Sequence, residues 1–239
     1  MFSLSQKDPR WANVRLGASR MTVGGWGCTT TCESILSYYA HQFIDPGQFA
    51  RQKENYTGVD HSRGPGLVLW TEFSKDLDNV KYQRRFYGHD AELVAEALKR
   101  KDRFPILQVA TGIAKYPEHW VVPIRALKGG DYLIMDPIDG KERKLLSKYV
   151  GVTGGVIAEA VEGFEFSDPA EVEPPQLMPV KGLIKAQTSE KIYFYSGSFK
   201  YHVPDEKTWE VLFNREEPQV LTDAITMAIP EGEPMTKMQ

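Results

Sequence analysis

The chain has 239 residues, 41% of them hydrophobic and 26% charged, with 29 lysines plus arginines against 32 aspartates plus glutamates. These are the values of a globular protein built as one large domain or as a domain with a smaller companion. A net charge of −3 gives no global attraction to nucleic acid or to an anionic membrane surface.

Two cysteines, Cys28 and Cys32, exclude a disulfide framework, because residues four apart on a helix are poorly placed to bridge each other. A zinc site would need further ligands at close spacing, and the nearest histidine, His41, lies well beyond Cys32. The first residues, Met1 to Asp8, lack the basic-then-apolar order of a secretory signal. The longest apolar runs, such as Trp120 to Ile124, are too short to cross a bilayer. The expectation is a chain that is cytoplasmic as synthesised.

In chain order, a glycine-rich stretch, Gly24-Gly25-Trp26-Gly27, leads into Cys28, and Thr29 to Ala40 has helical periodicity. Cys32, Ile35, Leu36 and Tyr39 share a face of that helix, which makes Cys32 a core residue and leaves Cys28 at the helix mouth. Pro46 to Glu54 reads as a second helix, with Asp45 as N-cap and proline in the first turn. Gly66 to Leu77 reads as a third, carrying Leu67, Leu69, Trp70 and Phe73. Lys81 to Tyr87 alternates as a strand. Asp90 caps an amphipathic helix running to Arg100, with Leu93, Val94, Ala97 and Leu98 on one face.

The period then changes. Pro105 to Ala110, His119 to Leu127, Tyr132 to Asp136 and Val152 to Ala160 are predicted strands, with Gly129-Gly130-Asp131 as a hairpin turn. Helices first and strands second predict an α+β fold, a helical layer on an antiparallel sheet. From Tyr149 to Val180 there is no lysine or arginine, but six acids and four prolines. Residues 166–180 therefore read as an acidic, proline-stiffened linker. It separates a domain of residues 1–165 from a small α/β module, 181–239. In that module Lys191 to Tyr195 and Ser198 to His202 flank a Ser196-Gly197 turn, a helix starts at Pro204, and the end from Pro230 reads as frayed.

The setting of Cys28 carries the chemistry. A thiol at a helix start meets unpaired backbone N–H groups and the positive end of the helix dipole, and both favour the thiolate nucleophile. Covalent attack on a carbonyl also needs a base, a group that orients the base, and donors for the oxyanion. Of the five histidines, His41, His61, His89 and His202 have ordinary surface or turn readings. His119 opens a rigid apolar strand after a loop, at the sheet rim where a base is useful.

Asp136 ends the next strand, and a carboxylate closing an apolar run needs a partner. In a hairpin the two residues come to the same sheet end, so Asp136 can fix the imidazole tautomer. Asp139 is the alternative orienter, although a turn role suits it better. Gln6, the only glutamine before Cys28, can join the Cys28 N–H as an oxyanion donor. Trp26, Gly27 and Trp120 flank these residues and are read as cleft walls.

These stretches resemble the C39-like cysteine peptidases of the papain-like superfamily. The similarity lies in Gln6-Lys7-Asp8-Pro9-Arg10-Trp11, Leu16-Gly17 and Gly24 to Thr31. It continues in Arg103 to Val109, His119-Trp120-Val121-Val122, and Asp131 to Gly140, in that order. The resemblance implies a papain-like fold, with Cys28 as nucleophile, His119 as general acid/base, Asp136 as orienter and Gln6 in the oxyanion hole, and no metal or organic cofactor. Many members of that family are exported or joined to transporters, features this sequence does not display.

The implied activity is a thiol hydrolase acting on a peptide or protein substrate, cell-wall peptide included, with the C-terminal module as a partner-binding or stabilising piece. A phage or prophage wall-degrading enzyme, virion-borne or released by lysis, and an intracellular processing peptidase both fit. A non-catalytic structural or binding protein on the same scaffold is the alternative, and acyl transfer to an amine is a third reading.

Overall fold

The computed structural model describes residues 4–58, 60–62, 64–167, 182–195, 200–213, 217–221 and 231. The chain divides into two compact units, residues 1–175 and 176–239. The class is mixed α+β with mainly antiparallel sheets. Among the described residues no helix is long and apolar enough to cross a membrane.

In the first unit a short helix α1 (Val23–Trp26) is capped by the Thr22 side chain and runs through Gly27 into α2 (Cys28–Tyr39). Gly27 is required at this junction, because a Cβ there would lie 2.6 Å from the Cα and carbonyl oxygen of Val23. Cys32, Ile35 and Leu36 of α2 are buried as the periodicity predicts. Helix α3 (Pro46–Arg51) begins with a complete capping box between Asp45 and Gln48.

The helix expected over Gly66 to Leu77 shrinks to α4 (Trp70–Phe73) and a 3-10 turn. Gly66 has φ +77°, and Val68 bridges to Tyr56 as extended chain, so helix cannot start before Trp70. Leu67 is correspondingly exposed.

Strand β1 (Val80–Tyr87) and helix α5 (Ala91–Ala97) follow, with Asp90 Oδ1 accepting from the Leu93 N–H at 3.0 Å. The expected continuation to Arg100 is replaced by a turn after Ala97. The remaining strands are β2 (Arg103–Ala110), β3 (Glu118–Ala126), β4 (Tyr132–Asp136), β5 (Lys141–Lys144) and β6 (Gly151–Ala160). With β1 they form one antiparallel sheet in the order β1-β6-β2-β3-β4-β5. Strand β5, Lys-Glu-Arg-Lys, is the strand of this sheet that sequence patterning overlooked: a short, exposed, charged edge strand has no apolar alternation to find; α1, and β7 (Gly182–Ala186) and β10 (Gln219–Leu221) of the second unit, are likewise not predicted.

A core of Phe86, Leu93, Val94, Leu107, Val109, Val121, Ile134, Leu145 and Ile157 unites α5 with the sheet. Helix α2 packs on β3, the arrangement that brings the helix mouth to the strand's start. Phe166, the first residue of the expected linker, is buried against Phe104, and its N–H bonds to the Lys101 carbonyl at 2.7 Å. Residues 168–180 of that linker lie outside the described residues.

The second unit is a small sheet of β7 (Gly182–Ala186), β8 (Ile192–Tyr195), β9 (Lys200–His202) and β10 (Gln219–Leu221), with helix α6 (Glu206–Phe213). Its order is β10-β7-β8-β9, and the β10–β7 pair is parallel. Among the described residues its core includes Ile184, Tyr193, Tyr195 and Leu221. The turn expected at Ser196-Gly197 and the frayed end expected from Pro230 fall outside the described residues, Glu231 excepted.

Candidate active site

Cys28 is the first residue of α2, so its backbone N–H has no acceptor within the helix. The thiol is half-buried, whereas Cys32 one turn on is fully buried. Burial pushes the Cys28 thiol up. The opposing effects are larger in sum: a hydrogen bond to the His119 side chain, the positive charge of that ring, and the Trp120 backbone N–H. The net direction is below the ordinary cysteine value. Cys32 moves the opposite way, held well above the ordinary range first by burial and then by the charge of Cys28.

His119 sits near the start of β3, and Asp136 ends β4. Val122 pairs with Met135 in the antiparallel register, which puts His119 and Asp136 on the same face, diagonally related across the two strands. His119 Nε2 lies 2.9 Å from Asp136 Oδ1. The interaction with Cys28 therefore falls to the other ring nitrogen, Nδ1. Burial lowers the imidazole pKa, but the hydrogen bonds to Asp136 and Cys28 overcome it and raise the pKa to about 9. Thiolate beside imidazolium is the charge state these opposite shifts favour.

Asp136 is completely buried. Burial raises its pKa, yet its hydrogen bonds with His119, Lys148 and Tyr149 reverse that and hold it well below the ordinary carboxylate range. Lys148 Nζ and the Tyr149 hydroxyl each donate to Oδ2 at 2.7 Å, and the Ile138 N–H donates to Oδ1 at 3.0 Å. Arg143 Nε stands 3.2 Å from Oδ2 as an ion pair. The Tyr149 ring also stacks on His119, with centroids 5.5 Å apart and planes at 29°.

Lys148, Tyr149 and Arg143 went unrecognised in the sequence. The only available signal was the general demand of a buried carboxylate for cations and donors, which does not say which residues answer it. Asp139 serves the turn: its Oδ1 accepts from the Lys141 N–H, and its carboxylate pairs with Arg143 at 2.5 Å.

Gln6 is buried, and its own N–H bonds to the Pro137 carbonyl at 2.7 Å, tying the N-terminal segment to the turn after Asp136. Its Nε2 donates to the Gly24 carbonyl at 3.2 Å, and Lys7 Nζ donates to the same oxygen. In a continuous helix that carbonyl would be the acceptor for the Cys28 N–H. One hydrogen of the Gln6 amide is thus committed and one remains.

Trp120 lines an open cleft beside the α2 mouth together with Thr29, Trp70, Arg85, Gln108 and Glu118. The other two residues expected as cleft walls lie on either side of the turn into α2. Trp26 is half exposed and stands edge-on to Tyr116. Gly27 is buried against Val23, because its function is to let the chain pass closely into α2. Among the described residues no group of three or more histidine, cysteine, aspartate or glutamate side chains is placed to hold a metal ion.

No family model matches the chain, and no curated protein matches it significantly.

Proposed function

We propose that the chain is a cysteine peptidase of the C39-like, papain-like type, hydrolysing peptide or related amide bonds. The observation that carries this reading is the grouping of Cys28, His119 and Asp136, a helix-start thiol beside an imidazole whose Nε2 is held at 2.9 Å by a buried carboxylate. An orienting acid on the far nitrogen fixes the ring and stabilises its charged form. The layout supports the same reading: a cysteine-bearing helix packed on an antiparallel sheet that supplies the other two groups.

In this mechanism the Cys28 thiolate attacks the carbonyl carbon, and the oxygen becomes an anion held by the Cys28 N–H and the remaining hydrogen of the Gln6 amide. The C–N bond then breaks, and His119 gives its Nδ1 proton to the departing amine, leaving a thioester. Water attacks the thioester while His119 takes a proton from it. The acid leaves, and thiolate and imidazolium are restored.

The substrate is a peptide or protein, cell-wall peptide included. The second unit, with its own small core, acts as a partner-binding or stabilising module. A panel of purified cell wall and general peptide libraries, run against the wild type and Cys28→Ala, tests this. Cleavage lost in the variant is expected. Absence of cleavage, together with no selective reactivity of Cys28, would favour a binding protein on this scaffold.

A further inference from the structure

The cleft beside Cys28 has a charged floor that catalysis by the three site residues leaves unused. Trp120 spans the two: it directly follows His119 and lines the cleft with Thr29, the neighbour of Cys28, and the Arg85 guanidinium lies over its ring, 5.2 Å from the centroid. Trp70 packs against the same indole at 5.1 Å, and the Tyr87 ring flanks Arg85 at 5.2 Å. Arg85 Nη2 donates to Gln108 Oε1 at 3.0 Å, and Gln108 Nε2 in turn donates to Glu118 Oε2. Gln108 is itself buried, so this link is fixed by the sheet.

The guanidinium has five N–H donors. Its Nε is buried and out of a ligand's reach, and one Nη2 hydrogen goes to Gln108, so capture falls to the remaining hydrogens of the two Nη groups. A rigid, stacked guanidinium with donors to spare is suited to bidentate capture of a carboxylate. Glu118, at the far end of the Gln108 link, repels an anion from its own side and so confines the anion to the Arg85 end.

We infer that this cleft is a specificity subsite for a carboxylate-bearing side chain of the substrate, with Arg85 as the residue that selects it. The inference rests on the peptidase reading for what is cut, but not for what is bound. An extended peptide advances about 3.3 Å per residue. The selected acid therefore lies within a few residues of the scissile bond.

The test uses a positional-scanning hexapeptide library in which each position carries Glu, Gln or Lys. It is read twice, as kcat/KM with the wild type and as direct binding to Cys28→Ala, each with and without Arg85→Gln or Arg85→Lys. Expected is a Glu-over-Gln preference of about tenfold or more at one position in both readouts. It falls close to one in Arg85→Gln and is only partly kept in Arg85→Lys, where the fork is gone but the charge stays. Circular dichroism establishes that the variants are folded.

If the wild type cuts nothing but Cys28→Ala binds with the preference, the subsite stands and the peptidase reading falls. A binding preference that is absent, or that survives Arg85→Gln, overturns the subsite; so does a preference for Lys-bearing peptides that is lost in Glu118→Gln.

Discussion

At the scale of single residues, two thiols one helical turn apart have opposite fates. Cys28→Ala is expected to abolish turnover with the fold intact. Cys32→Ala should keep most activity and cost about 1 kcal/mol in denaturant unfolding, because a fully buried sulfur is lost from the core. The reverse pattern would refute the nucleophile assignment.

Asp136→Asn removes the negative charge that His119, Lys148 and Arg143 all face. It should lower kcat about a hundredfold or more with little change in KM. Tyr149→Phe keeps the ring against His119 but removes the 2.7 Å hydrogen bond to Asp136, so a smaller loss is expected, about three- to tenfold in kcat.

The pH dependence has a definite sign. Activity should fall on the alkaline side as His119 loses its proton near 9, since the leaving amine then has no donor. On the acid side it should fall as the Cys28 thiolate is protonated, below the ordinary thiol value. The pKa of Asp136 is depressed in the folded state, so its contribution to stability is complete above the ordinary carboxylate value of 3.8 and is lost as pH falls below it.

At the scale of elements, the junction of α1 and α2 decides where the thiol stands. Gly27→Ala puts a Cβ 2.6 Å from Val23 backbone atoms, and either the helix entry shifts or the core strains. The expected loss is about 1–3 kcal/mol, with activity falling further than stability alone accounts for, because Cys28 is the next residue. A variant with wild-type melting and kcat would show that the junction has room.

The same scale shows what can be read from sequence. Asp45 and Asp90 announce their helices because capping is a local, chemically specific act, and both caps form. His119 and Asp136 are legible because an apolar strand makes a polar end conspicuous. Gly66 to Leu77 is misleading because its apolar spacing is helical, while the positive φ of Gly66 and the Val68 bridge to Tyr56 are long-range matters. The partners of Asp136 are set by where β5 and the following turn return to the sheet, which residues 137–149 do not encode in their periodicity.

At the scale of the whole molecule, the division at residue 175 separates a unit with the candidate site from one with a core of its own. A chain of residues 1–175 is expected to melt cooperatively and to keep its action on short peptides. A loss confined to large or particulate substrates would show recruitment by the second unit. An unfolded fragment would instead make that unit a stabilising extension.

Every role assigned to the site presupposes that Cys28 is a thiolate paired with His119. The most direct measurement is the rate of iodoacetamide alkylation of each cysteine at about pH 6, followed by mass spectrometry, in the wild type and in His119→Ala. Fast labelling confined to Cys28 and lost in the variant is the predicted result. Slow labelling of Cys28 at the rate of an ordinary thiol, unchanged when His119 is removed, would contradict it.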